Sequence, residues 1–477
     1  MIFTSLNFLL FFPLIALLFY AIPAKWKSLM LLLASVFFYL NISPVYLVLL
    51  LGVAISTYGF TYLMSQSNNE KRNRQYMLAN IALILTPLFF FKYFQVINNY
   101  IFGLLSENGL FWPLPELNFL LPVGISFYTF VAVGYTIDVY NEEVEAEKDF
   151  GVLTLFISFF PLILSGPIER AANMLPQFRN WKPADLQGIN SGIKLMLWGY
   201  FMKLVVADRL GMYVDSVYHN IDNHNGTTLL LTTALYPFQV YCDLGGYSLI
   251  AIGTAKILGL DVMHNFKRPF FATTMAEFWR RWHISLITWL TDYVYTPLSF
   301  YYRKYKVNGV VIALLLTFLI SGIWHGAAMT FVVWGIMQGI FLSVEALTQK
   351  KRSAWEKKHN LHQNLLYSIC CMLLTYILFS ASQIFGRSPD LNTATTVCTK
   401  ILTEPGNLYL DITTLLFACM GLGLVLLKDI NDEFFNNKYS LFSSKIAVVR
   451  YSAYLSVLFF IILFGVFSGS SFIYFQF

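Results

Sequence analysis

The chain has 477 residues, of which 57% are hydrophobic and only 12% are charged, and its mean hydropathy is +0.60. Soluble domains carry about 25% charged residues, so this composition excludes a soluble globular protein and indicates a polytopic membrane protein. The net charge of +6 is concentrated in short loops, where basic residues control membrane topology. We therefore expect membrane lipid as a partner and no nucleic acid.

Long apolar stretches recur along the chain and predict an all-α fold. A helix of about 20 apolar residues crosses ~30 Å of hydrocarbon, and by this measure the chain holds about eleven to fourteen helices, some of them re-entrant. The clearest stretches are residues 6–22, 28–40, 46–64, 77–94, 310–324, 328–347, 365–385 and 448–467. The first has no basic segment before it and no small-residue cleavage site after it, so we expect a retained span.

Basic residues in short loops predict the orientation. The positive-inside rule places such loops in the cytoplasm, and this chain has them at residues 25–27, 71–74, 303–306 and 350–358. The N-terminus is then expected outside, together with segment 97–120, which contains no Lys or Arg. Segment 152–164 fits this orientation only as a re-entrant stretch, which Pro161, Gly166 and Pro167 allow by interrupting the helix.

We expect a single membrane domain, with peripheral N-terminal helices in residues 1–110, a catalytic core in 111–348 and C-terminal helices in 349–477. The middle region is distinguished by Gly and Pro breaks at residues 121–130, 160–167 and 242–247. Broken helices at membrane depth are tolerated where they line a cavity. The functional site is therefore expected in the middle region.

Two histidines lie in apolar sequence of that region, His283 in FWRRWHIS and His325 in SGIWHGA. An ionisable side chain within a membrane usually marks a functional site. The two residues are 325 − 283 = 42 positions apart, which is enough for the chain to leave a site, turn at a membrane face and return. Both imidazoles can therefore meet in one buried cavity.

His325 has glycines on both sides, which can bend the chain and free backbone groups, as is typical of a site. The alternative is an imidazole that hydrogen-bonds a neighbouring helix and stabilises helix association. If His325 is functional, burial favours the neutral imidazole, which can accept a proton from a hydroxyl nucleophile.

Cations and aromatic residues surround His283. On one interpretation they form a cytoplasmic vestibule for an anionic, nucleotide-bearing cosubstrate, with its phosphates near the arginines and its purine near the tryptophans. On the other, they anchor an interfacial helix. The residues concerned are Lys267, Arg268, Trp279, Arg280, Arg281 and Trp282. Asp292, nine positions after His283, could orient an imidazole or pair with an arginine.

The five cysteines lack the spacing of metal ligands, so we expect no metal site.

The sequence strings around His283 and His325 resemble motifs of the membrane-bound O-acyltransferase (MBOAT) family. The resemblance is to its bacterial branch of alginate and polysaccharide O-acetyltransferase membrane subunits. The two histidine motifs are residues 278–285 and 324–327. Further similar strings extend over nearly the whole chain, at residues 121–130, 138–140, 160–167, 199–209, 246–248, 265–270, 292–298 and 472–477. The chain departs from the branch at residues 242–247 and 299–301, which leaves the acceptor open.

The resemblance implies a ring of helices around a central tunnel in the bacterial inner membrane. There a cytoplasmic acetyl donor, expected to be acetyl-CoA and not a permanently bound cofactor, would meet an acceptor from the other side. It implies that His325 is the essential catalytic histidine and that His283 is the second motif histidine. It also implies an extracytoplasmic, acetyl-esterase-like acetyltransferase as partner and a glycan as final acceptor.

The sequence therefore predicts an integral membrane O-acyltransferase, most simply an acetyltransferase for an exported polysaccharide or cell-wall glycan. One alternative is a D-alanyl transferase for teichoic acid that takes its acyl group from a carrier protein, which a donor assay would distinguish. Another is a non-enzymatic glycan transporter. Transporters more often show an internal repeat, and this sequence shows none.

Overall fold

The computed structural model describes residues 1–42, 44–110, 122–361, 364–439 and 441–467, and every regular element within these ranges is helical. The predicted all-α class is confirmed. The chain divides into two compact units, one formed by Met1–Lys194 with Ala251–Met263 and the other by Leu195–Ile250 with His264–Phe477. The expected division of one domain at residues 110 and 348 stays a prediction. Residue 121 and the similar string at 472–477 lie outside the described residues.

The first unit is built from helices that precede the histidine motifs. They are α1 (Leu6–Ala21), α2 (Ala24–Leu40), α3 (Pro44–Ser65), α4 (Glu70–Phe89), α5 (Gln95–Glu107), α6 (Ile125–Tyr140), α7 (Phe150–Ser158), α8 (Phe160–Ile163) and α9 (Ala171–Arg179). Helix α10 (Leu186–Tyr200) begins in this unit, and the end of α12 (Gly226–Ile257) belongs to it.

Part of the segment expected outside is helical. Residues 97–107 continue the helix that begins as α4, because the π turn Phe90–Phe94 joins α4 to α5 without a break, and the outward position of these residues stays a prediction. A π turn accommodates one extra residue while the helix goes on. The rest of the expected outer segment, from residue 111 onward, lies outside the described residues.

The predicted interruption of segment 152–164 is confirmed. Helix α7 has nine residues and α8 has four, so neither is long enough to cross a bilayer. The chain bends at Phe159, and the N–H of Phe160 donates to the hydroxyl of Ser35 at 3.1 Å. A backbone group freed by the break is thus satisfied by protein, as it must be away from water.

The second unit contains both histidine motifs. Its helices are α11 (Asp208–Tyr218), most of α12, α13 (Met275–Arg281), α14 (Ile284–Leu290), α15 (Thr296–Tyr301), α16 (Val307–His325), α17 (Met329–Lys358), α18 (Leu365–Arg387), α19 (Leu391–Thr403), α20 (Ile412–Phe434) and α21 (Ala447–Phe464). The π turn Phe201–Ala207 joins α10 to α11, and the π turn Thr291–Tyr295 joins α14 to α15.

Seven helices in the described ranges are long and apolar enough to cross a membrane: Pro44–Ser65, Glu70–Glu107, Val307–His325, Met329–Lys358, Leu365–Arg387, Ile412–Phe434 and Ala447–Phe464. The chain is therefore a multi-pass membrane protein, while the count of eleven to fourteen stays a prediction. Three basic stretches predicted as loops lie within helices instead: 25–27 at the start of α2, 71–74 at the start of α4, and 350–358 at the end of α17. Helix α17 has 30 residues, and at about 1.5 Å per residue it is longer than ~30 Å of hydrocarbon, so its charged end can extend past the apolar region.

Helices α16 and α17 approach each other through a pair of glycines. A Cβ at Gly322 would clash with the carbonyl oxygen of Phe331 and would lie 3.1 Å from the Cα of Gly335. A Cβ at Gly335 would in turn clash with the carbonyl oxygen of Phe318. Small residues at such a crossing let two membrane helices pack backbone to backbone. The crossing holds the end of α16 against the first turns of α17.

We predict that Gly335→Ala destabilises the protein by about 1–3 kcal/mol, because the added methyl group overpacks a backbone contact. Gly423→Ala is the matched control, since a Cβ at this helical glycine of α20 meets nothing within 4 Å. Thermal unfolding of the purified variants in one detergent measures both. Equal unfolding midpoints for the two variants would show that the crossing does not require a glycine.

Candidate active site

The last residue of α16 is His325. The helix ends there because Gly326 is extended, and its N–H donates to the carbonyl of Gly322 at 3.3 Å. A side chain at Gly326 would clash with the ring of Phe331, so only glycine allows this tight return into α17. The turn brings the His325 ring to within 4.9 Å of the Trp334 ring, centroid to centroid, and to within 6.5 Å of the Phe331 ring.

His283 lies at the break between the short helices α13 and α14. Its backbone is left-handed (φ 44°, ψ 51°), a conformation that costs a non-glycine residue about 1–3 kcal/mol. Asn265 holds it there: its carbonyl accepts from the N–H of Ile284 at 2.8 Å and its side-chain oxygen accepts from the N–H of Ser285 at 3.1 Å. Backbone strain that neighbouring contacts enforce is concentrated at functional sites.

The His283 side chain is buried, with 4% of its surface exposed. This residue lies outside the seven candidate spans, and burial lowers the pKa of its imidazole to about 4. Below that value the ring would gain a proton, so at neutral pH it is uncharged. A neutral imidazole can accept a hydrogen bond at one ring nitrogen and donate one at the other.

Both histidines line one cavity of about 50 Å³. The expectation that the two imidazoles meet in a single cavity is therefore confirmed. The wall is mostly aromatic and aliphatic, and its other members are Tyr236, Val240, Leu244, Trp279, Trp282, Leu286, Phe331, Trp334, Phe379, Gln383 and Gly386. A water molecule needs about 10–15 Å³ of such volume, so the cavity has room for a few non-hydrogen atoms.

Several cavity residues lie outside the motifs that the sequence marked, among them Tyr236 from α12, and Phe379 and Gln383 from α18. The local signal at Gln383 is an amide within a mostly apolar helix. That signal does not distinguish a site residue from a helix contact. Only the packing of α12 and α18 against the motif helices places these side chains in the cavity.

The predicted donor vestibule is not one open cluster of cations. Arg268 and Arg281 each pair with Glu433 at 2.9 Å, and Arg281 also pairs with Glu277 at 2.7 Å. Lys267 and Arg280 are exposed. The two arginines that the structure pairs are thus part of an ion-pair network that includes an acidic residue about 150 positions away, which sequence spacing could not reveal.

The two motif tryptophans contribute to the wall of the histidine cavity. Trp279 and Trp282 are buried and line the histidine cavity, and the indole N–H of Trp279 donates to Gln338 at 3.3 Å.

Asp292 is exposed on the π turn and is not a cavity-lining residue. Its orienting role stays a prediction. No cluster of metal-ligating side chains occurs in the described part of the chain, and the absence of a metal site stays a prediction as well.

A buried ion triad lies next to this cavity along α12. The ammonium of Lys203 contacts Asp208 at 2.7 Å and Asp243 at 2.6 Å, and these three side chains are only 3–4% exposed. Lys203 belongs to the π turn Phe201–Ala207, while Asp243 immediately precedes the cavity residue Leu244. The triad therefore ties the π turn to the helix that forms one wall of the cavity.

The part of the chain that contains the histidine cavity is also similar to known proteins. Residues 149–383, which include both histidine motifs, match the profile of the membrane-bound O-acyltransferase family. The chain is 32% identical over 398 residues to a probable alginate O-acetylase of Pseudomonas syringae pv. tomato, covering 83% of this chain and 74% of the relative.

Two other relatives have different names. The chain is 30% identical over 403 residues to a peptidoglycan O-acetyltransferase of Helicobacter pylori, covering 79% of this chain and 73% of the relative. It is 28% identical over 272 residues to a teichoic acid D-alanyltransferase of Bacillus subtilis, covering 55% of this chain and 67% of the relative.

The buried triad provides a test of stability. We expect Lys203→Met to destabilise the protein by about 3–5 kcal/mol, because removing one partner leaves uncompensated buried charge. The control is Lys182→Met: Lys182 lies 3.5 Å from Asp261 in an exposed pair, with side chains 65% and 55% exposed, and such pairs contribute less than about 1 kcal/mol. Thermal unfolding in detergent measures both, and similar midpoints would contradict this account of the triad.

Proposed function

The chain belongs to the membrane-bound O-acyltransferase family and is an O-acyltransferase, and from that premise we propose the reaction that it catalyses. It moves an acetyl group from a cytoplasmic donor, acetyl-CoA, across the membrane toward hydroxyls of an exported polysaccharide or cell-wall glycan. The observation that carries this proposal is that both motif histidines line one small cavity with a largely apolar wall. The names of the alginate and peptidoglycan relatives support acetyl as the acyl group.

A thioester is already activated, so the protein mainly has to position an acceptor hydroxyl, remove its proton and stabilise the developing oxyanion. In the proposed step the hydroxyl oxygen bonds to the carbonyl carbon while His325 takes the hydroxyl proton. The carbon–sulfur bond then breaks, and the proton passes to the leaving sulfur. His283, uncharged at neutral pH, serves as a hydrogen-bonding group in the same cavity.

The size and polarity of the cavity favour acetyl over D-alanyl. An acetyl group has three non-hydrogen atoms, which suits a volume of about 50 Å³. A D-alanyl group is larger and carries an ammonium group. No carboxylate is found among the described residues that line the cavity, so this ammonium would be desolvated without a counterion. The D-alanyl transferase is accordingly the second candidate and rests on the relative from Bacillus subtilis.

The same wall bears on the acceptor. It is mostly aromatic and aliphatic, so the many hydroxyls of a sugar ring would lose their hydration there without partners, which disfavours the glycan itself as an occupant. This supports transfer through an extracytoplasmic, acetyl-esterase-like partner that presents a hydroxyl and carries the acetyl group onward. The transporter alternative receives no support from the family match, because a transporter needs no acyl-transfer histidine.

We predict that His325→Ala lowers acetyl transfer by about 10²- to 10⁴-fold, the contribution of a general base, while folding is retained. Transfer of radiolabel from acetyl-CoA to envelope glycan in membrane preparations measures activity, and thermal unfolding measures folding. His359→Ala, at an exposed histidine, is the control and should behave as wild type.

Two outcomes would contradict the proposal. An alanine variant at His325 that retains transfer within severalfold of wild type removes the base assignment. A wild-type protein that accepts label only from a D-alanyl carrier protein removes the acetyl donor. We expect His283→Ala to be milder or to act through folding, so total loss in a folded His283 variant would instead give His283 a direct catalytic role.

The exposed cations give a separate donor test. Removing both charges with Lys267→Gln and Arg280→Gln should raise the KM for acetyl-CoA more than it lowers kcat, because each charge-assisted phosphate contact contributes about 1.5–3 kcal/mol. Arg281→Gln is the comparison: it releases Glu433 and Glu277, so it should lower thermal stability. Unchanged affinity of the double variant for coenzyme A in detergent would exclude Lys267 and Arg280 from the donor site.

A further inference from the structure

Gln383 places an amide in the histidine cavity. It lies in the last turns of α18, is 8% exposed, and lines the cavity together with His283 and His325. Within the described ranges of the chain, its side-chain amide makes no hydrogen bond. Buried side-chain amides are nearly always hydrogen-bonded, so one that faces a cavity without a partner points to a ligand.

The neighbouring amide shows how this unit satisfies a buried glutamine that has a structural role. Gln338 on α17 uses both ends: its oxygen accepts from the indole N–H of Trp279 at 3.3 Å, and its nitrogen donates to Ser382 at 2.7 Å. Ser382 in turn donates to the carbonyl of Phe379 at 2.6 Å. Gln383 follows Ser382 directly but turns toward the cavity and takes no part in this network.

The amide of Gln383 lies near Trp334, a ring that packs against His325. A Cβ built on Gly386, one turn later, would be 3.1 Å from the Gln383 side-chain oxygen and 3.7 Å from Cδ1 of Trp334. The Trp334 ring is the one that packs 4.9 Å from the His325 ring. Gly386, which has no side chain, leaves open the space between the amide and this aromatic wall.

We propose that the Gln383 amide is the oxyanion donor of the acyl transfer, a proposal that rests on the proposed function above. As the acceptor oxygen bonds to the thioester carbonyl carbon, the carbonyl π pair moves to oxygen, and the amide N–H donates to this oxyanion. When the pair returns, the carbon–sulfur bond breaks and the proton held by His325 goes to sulfur. An amide suits this task because it donates without giving up its proton.

Tyr236 and Trp334 are competing donors, since the phenol and the indole both belong to the cavity wall and the indole N–H of Trp334 has no hydrogen-bond partner among the described residues. The structure favours Gln383 over Tyr236, because its amide lies near the ring that contacts His325. It is favoured over Trp334 because oxyanion donors are typically backbone N–H groups or Asn, Gln, Ser, Tyr and His side chains. A comparison of Gln383→Leu, Tyr236→Phe and Trp334→Phe distinguishes the three, because each substitution removes one donor and keeps an apolar side chain in its place.

The test measures kcat and KM for acetyl-CoA with the full-length protein in membranes, alongside thermal unfolding in detergent. Gln383→Leu should lower kcat by about 10²- to 10³-fold with KM nearly unchanged, as for loss of one oxyanion donor. The matched control is Gln239→Leu, because Gln239 is also 8% exposed in the same unit but does not line the cavity. This control should keep wild-type kcat.

Each other outcome overturns the assignment. If Gln383→Leu retains kcat within threefold of wild type, or loses no more than Gln239→Leu, the amide is not the donor. If Tyr236→Phe or Trp334→Phe loses 10²-fold or more and Gln383→Leu does not, the phenol or the indole, respectively, is the donor. These results all require an active wild-type protein, whereas a wild type that cannot use acetyl-CoA refutes the proposed function itself and the inference with it.

Discussion

Backbone hydrogen bonding in an apolar environment is the constraint on which the site depends. Every interruption of a helix at membrane depth exposes backbone groups that lipid cannot satisfy. The structure supplies a protein partner at each of three interruptions: Ser35 at Phe160, Asn265 at Ile284, and the carbonyl of Gly322 at Gly326. Both motif histidines lie at helix breaks, His325 at the end of the candidate span α16 and His283 between the short helices α13 and α14, so the hydrogen bonds at these breaks also fix where the imidazoles stand.

Aromatic packing then limits what the cavity can hold. The rings around the histidines leave about 50 Å³, and the amide of Gln338 beside the cavity is used in internal hydrogen bonds, whereas the amide of Gln383 is not. A cavity of this kind favours a small uncharged acyl group, because a charged one would lose its hydration without a counterion. The buried Lys203 triad lies outside the wall and stabilises the helix that carries Leu244.

The cations around His283 do not all have the role that their residue type suggested. Four cations close to a motif histidine are compatible with phosphate binding and with membrane anchoring. The structure adds a third arrangement for two of them, since Glu433 from α20 pairs with both Arg268 and Arg281. The role of a charged residue depends on its ion-pair partner. For Arg268 and Arg281 that partner, Glu433, lies in a helix far along the chain.

The sequence by itself determined the helical membrane class, the family and the two histidines, because hydropathy, helix-breaking residues and short motifs are local properties of the chain. It also located the break in segment 152–164. Only the tertiary structure decided which side chains share the cavity, that Glu433 occupies two arginines, and that residues 97–107 and 350–358 continue helices. Those features depend on contacts between helices far apart in sequence, where packing and ion pairing override local preference.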